Sequence, residues 1–196
     1  MTVTELIVLA TIVAFVIWSR SLYGADDAWW QEVRRRWWPV LHNPLKSFGG
    51  FALSGVGGRA YVGVVKMSED DLEATLERIG FVRNPWAALK TRLDGQDVSE
   101  GSWVYRKSDV WYRPDDLAPM QLHVTVFERA DGIGYDLYAH WEDNYWVSPF
   151  DHLDGANLSA PRGVEMMHER LDENRVSYFT DLEPDPIIEQ DSNAYK

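Results

Sequence analysis

Residues Leu6–Trp18 read LIVLATIVAFVIW, an apolar run broken only by Thr11. Extended to Val3 and Ser19 it covers about 17 residues, the shortest length that spans a hydrocarbon core of about 30 Å. A segment apolar on every side suits lipid, whereas a helix packed on a domain keeps a polar face. Glu5 and Arg20 bracket the run, and Trp18 and Tyr23 suit the interface. A cleaved signal peptide would carry basic residues ahead of the run and a small-x-small site behind it, and neither is present. The run therefore predicts a single transmembrane helix over residues 1–24. Ahead of it stands only Glu5; behind it come Arg20, Arg34, Arg35, Arg36 and Lys46. Positive flanks stay inside, so the expected location is the cell membrane, single-pass, with the body of the chain cytoplasmic. The sequon Asn157-Leu158-Ser159 would then stay unmodified.

Residues 25–48 carry DDAWWQEVRRRWWPVL, in which Trp30, Val33 and Trp37 recur at helical spacing and Pro39 ends the pattern. Trp29, Trp30, Trp37 and Trp38 beside Arg34, Arg35 and Arg36 have the composition of a helix lying among anionic headgroups. The lipid bilayer is thus the first expected partner, with a protein partner in a membrane assembly as an alternative.

Charge divides the chain in the same place. The net charge is −12, yet residues 1–66 hold seven basic and four acidic side chains while residues 67–196 hold twelve and 27. No stretch after Lys66 could neutralise a row of phosphates, which argues against nucleic acid as a partner. Asp (18) exceeds Glu (13), and Lys (5) is scarce beside Arg (14). Such a carboxylate-rich, Lys-poor surface is of halophilic type, because molar salt shortens the Debye length to about 3 Å and removes most self-repulsion. The absence of cysteine excludes disulfides, a thiol nucleophile and thiolate metal sites.

A Gly-rich linker is expected over 49–58. Gly55-Val56-Gly57-Gly58 precedes the strand-like RAYVGVVK instead of opening a helix, so it fails as a phosphate loop. An acidic α+β domain follows over 59–180, with an antiparallel sheet and helices on one face. Its expected elements are a strand at Arg59–Lys66, a helix capped by Ser68, a second helix over PWAALKTRL (85–93), and a hairpin turning at Lys107-Ser108. A second hairpin turns at Asp131-Gly132, and a last helix runs from Pro161 to Asn174. The acidic tail, 181–196, has a disordered composition.

If Asp131-Gly132 is the turn, Leu122, Val124 and Val126 face Trp141, Ala139 and Leu137 across a core surface. The other surface, expected to be half-solvated, pairs His123 with His140 and Gln121 with Glu142. Directly opposed Cβ atoms lie about 4.5–5.5 Å apart, so two imidazoles and a carboxylate would meet. His123, His140 and Glu142 are therefore the candidate catalytic set, as acid–base groups or as ligands for zinc or iron. The cofactor and the identity of any metal stay open, and His152 could join from the next loop. Leu122-His123-Val124-Thr125-Val126 resembles the His-hydrophobic-Thr-hydrophobic element of the two-histidine phosphoesterases, which use two such elements. His140 is followed by Trp141-Glu142 and lacks the second Ser/Thr, so the paired arrangement is missing. Two functions remain: a membrane-anchored binding or structural module, and a membrane-tethered hydrolase, metal-dependent or phosphodiesterase-like, using the His pair.

Overall fold

The computed structural model describes residue 36 and residues 57–84, 91–92 and 97–184. In chain order they form strand β1 (Tyr61–Val65), helix α1 (Glu69–Arg78), strands β2 (Val82–Arg83), β3 (Thr91–Arg92), β4 (Asp97–Val98), β5 (Gly101–Tyr105), β6 (Met120–Glu128) and β7 (Tyr135–Asp143), then helices α2 (Pro149–Asp154) and α3 (Ala160–Glu173). Five strands make one antiparallel sheet in the order β1-β7-β6-β5-β2, and β3 pairs with β4 apart from it. The architecture is α+β.

The centre of the sheet follows from alternation. Leu122, Val124 and Val126 of β6 and Leu137 and Ala139 of β7 point to one face and are buried. The register places Leu122 opposite Trp141 and His123 opposite His140, as a turn centred on Asp131-Gly132 requires. Gly132 has φ +67°, a left-handed conformation open to glycine at no steric cost. Beside the turn, Nη1 of Arg129 donates to the buried Asp136 at 2.8 Å, and its Nη2 to Asp131 at 2.9 Å.

Two helices cover the apolar face. The hydroxyl of Ser68 accepts from the Asp71 N–H, an N-cap, and Leu72 and Leu76 recur four apart to meet the sheet. Ser159 caps α3 by accepting from the Arg162 N–H, and Met167 and Leu171 face inward. A Cβ at Gly163 would run into the β7 backbone at His140, so glycine lets α3 lie directly on that strand. The chain then closes on its own start. Val64 and Phe179 exchange backbone hydrogen bonds of 2.9 Å, and the Tyr61 hydroxyl donates to the carbonyl of Leu182.

Two expectations are corrected. Residues 109–113 do not pair with β5, whose partners are β6 and β2. The Ser108 N–H donates to Asp115 Oδ1 and the Val110 N–H to Ser108 Oγ; side chains thus take the backbone groups a ladder would need. Thr91 and Arg92, expected to end a helix, instead pair with Val98 and Asp97. Among the described residues no helix is long and apolar enough to cross a membrane. The run Leu6–Trp18 lies outside them, as do Trp29, Trp30, Arg34, Arg35, Trp37, Trp38 and residues 185–196; Arg36 is helical and exposed.

Candidate metal centre

The polar face of the β6–β7 pair is buried, not half-solvated as its alternation suggested. Gln121, His123, Thr125, His140 and Glu142 are each 4% exposed or less. A polar group taken from water needs compensating partners, and here they are supplied within the cluster. Nδ1 of His123 lies 2.9 Å from Nε2 of His140 and 3.1 Å from Oε1 of Glu142. Nε2 of His140 lies 2.9 Å from Oε2 of Glu142. Two imidazole nitrogens and both oxygens of one carboxylate thus meet, from positions fixed by two strands in register.

Further residues hold this triangle in place. Oγ of Ser102, on β5, lies 2.5 Å from Nε2 of His123. Gln121 donates its amide to Glu142 Oε1 at 2.8 Å, and the Arg106 Nε–H donates to Gln121 Oε1 at 2.9 Å. His152 of α2 donates from Nδ1 to the Asp143 carbonyl and stands 3.7 Å from Glu142 Oε2, beside the cluster rather than in it. Burial opposes the charge on Glu142, but positive charge on His123 and His140 and hydrogen bonds from both hold its carboxyl well below the ordinary carboxylate range. His168 is spent elsewhere, against the Val62 carbonyl.

His123, His140 and Glu142 are close enough to share one metal ion. Oε1 of Glu142 faces His123 and Oε2 faces His140, so the separations of 2.9 and 3.1 Å are those of hydrogen-bonded groups from which an ion could be bound. A cleft of about 230 Å³ beside the cluster is lined by Gly57, Arg59, Ala60 and Leu158–Pro161, and His140 is the candidate ligand that reaches it.

The sequence brought together the two histidines and Glu142 but not Ser102. The mistaken hairpin at Lys107-Ser108 paired Ser102 away from β6; once β5 lies on β6, Ser102 stands opposite Thr125, diagonal to His123. Compared with known protein families, curated proteins and solved structures, the chain matches none.

Proposed function

We propose that this chain is a membrane-anchored metal-binding protein whose acidic domain, on the cytoplasmic side of an N-terminal span, holds one divalent transition-metal ion at His123, His140 and Glu142. The convergence of two imidazole nitrogens and a carboxylate within 3.1 Å of one another carries the reading. Two histidines and one carboxylate are the donor types of both zinc and non-haem iron(II) sites, which makes these the first ions to try. The surroundings fit as well: Ser102 and Gln121 orient the ligands, and the cleft at His140 gives an ion a way in. Burial of all three donors favours an ion that is held over a hydrolytic centre, whose substrate must reach open coordination positions.

The test is elemental analysis of the full chain, purified from membranes and reloaded anaerobically with iron(II), manganese(II) or zinc(II). Close to one equivalent is expected in the native protein, and none in His123→Ala or Glu142→Gln of unchanged circular dichroism. A native protein that takes up no ion and melts at the same temperature with and without metal overturns the reading. Protease protection in vesicles tests the anchor: cleavage of the domain from the outside would reverse the assigned orientation.

A further inference from the structure

Exposed aromatic side chains gather at one end of the sheet. Trp111 (94% exposed), Tyr112 and Leu117 lie on the connection from β5 to β6, and Trp146, Phe150 (80%) and Leu153 lie on the stretch from β7 through α2. The two stretches are fastened side by side. The Asn144 side chain donates to the carbonyls of Asp116 and Ala118, its N–H donates to the Pro119 carbonyl, and the Arg106 guanidinium sits over the Tyr145 ring. Folding a domain around its apolar residues does not leave aromatic tips standing in water at one end without a use.

Position and charge point to what covers them. Residues 106–119 carry three basic and three acidic side chains, and residues 144–155 add Asp151 and Asp154, within a body whose overall surplus is strongly acidic. Trp, Tyr and Phe on a face of low net charge suit the headgroup–acyl boundary, where an aromatic ring is buried and its polar edge stays wet. Strand β1 starts opposite Tyr138, in the middle of β7, and runs toward Tyr135, while Gly57, Arg59 and Ala60 line the cleft at His140, so its start is directed toward the Asp143 end and away from the Asp131-Gly132 turn. Only 38 residues separate Gly57 from the end of the apolar run at Trp18. That tether keeps the face at high effective concentration near the bilayer.

We propose that the β5–β6 connection and the β7–α2 stretch form a membrane-docking face, which sinks Trp111, Tyr112, Trp146 and Phe150 into the interface of a zwitterionic bilayer. The inference rests on the N-terminal run being an anchor, and its attraction is aromatic burial, not charge, so it persists at high salt. The chain has no cysteine, which makes single-cysteine labelling clean. Trp111→Cys, Phe150→Cys and, at the far turn, Ile133→Cys each receive an NBD fluorophore in the full chain reconstituted into phosphatidylcholine vesicles. All three side chains are exposed, so folding should survive, and circular dichroism checks that it does. Docking gives a blue shift, a several-fold rise in emission and quenching by brominated lipid at 111 and 150, with none of these at 133. A chain that resists carbonate extraction while 111 and 150 stay water-like overturns docking and leaves the anchor standing. A carbonate-extractable chain that still shows the shift overturns the anchor and leaves docking standing. A shift without vesicles that grows with protein concentration makes a second copy the occupant and overturns the bilayer.

Discussion

In its neutral form His123 can be satisfied in two ways, and the choice depends on which ring nitrogen holds its proton. With Nδ1 protonated, it donates to Glu142 and Nε2 accepts from the Ser102 hydroxyl; with Nε2 protonated, it donates to Ser102 and leaves the Nδ1 lone pair for an ion. Ser102 therefore supports either state, but only the second one binds metal. Ser102→Ala is expected to weaken ion affinity about 10–100-fold, the usual effect of losing such an orienting partner. A competition titration against a chelating dye reads it, and native affinity in Ser102→Ala would remove Ser102 from the centre. Protons also compete with the ion for both imidazoles and the carboxylate. Uptake should fall as pH falls, with release of protons on binding at neutral pH, and calorimetry in buffers of different ionisation enthalpy counts them.

The β6–β7 hairpin and the helix laid on it are the elements that set the triangle's geometry. Gly163→Ala would push a methyl group into the β7 backbone at His140; overpacking of this kind costs about 1–3 kcal/mol. Urea denaturation should show that loss, and ion affinity should fall with it because His140 moves with its strand. At the turn, Arg129→Ala removes the guanidinium from Asp136, which is fully buried. A broken buried pair costs about 3–5 kcal/mol, so the urea midpoint should drop while Asp131→Ala, at the exposed partner, changes it far less. These elements were unequally legible. Asp131-Gly132 gave the hairpin register because Asp-Gly is a favoured turn pair and centring the turn there puts the apolar residues of both strands on one face. The pairing of Thr91 and Arg92 with Val98 and Asp97 was hidden behind helix-forming Ala87, Ala88, Leu89 and Lys90 just before it. Burial of the histidine face was illegible, since Gln, His and Thr alternating with Leu and Val read as a solvated surface whether or not another part of the chain covers it.

Over the whole molecule, the separation of charge was legible from counting alone, whereas the aromatic end of the sheet was not. Trp111 lies far in sequence from Trp146 and Phe150, and the end of the β6–β7 ladder, the hydrogen bonds of Asn144 and the Arg106–Tyr145 contact bring their segments together. An acidic body with few lysines is expected to melt at lower temperature as salt is diluted from molar to tenth-molar, where the Debye length grows from about 3 Å to about 10 Å. A thermal melt in potassium chloride tests this, and a melting temperature indifferent to salt would set aside the halophilic character. The clasp between the first strand and the end of the domain has a mechanical consequence. Tyr61 is joined to Leu182, and Val64 to Phe179, so the two points where tension would enter and leave the domain are neighbours. A pull between the tether and the tail meets that short seam first and unzips it bond by bond. The strands that present His123, His140 and Glu142 lie off the line of force, and the centre they form keeps its shape while the seam gives way.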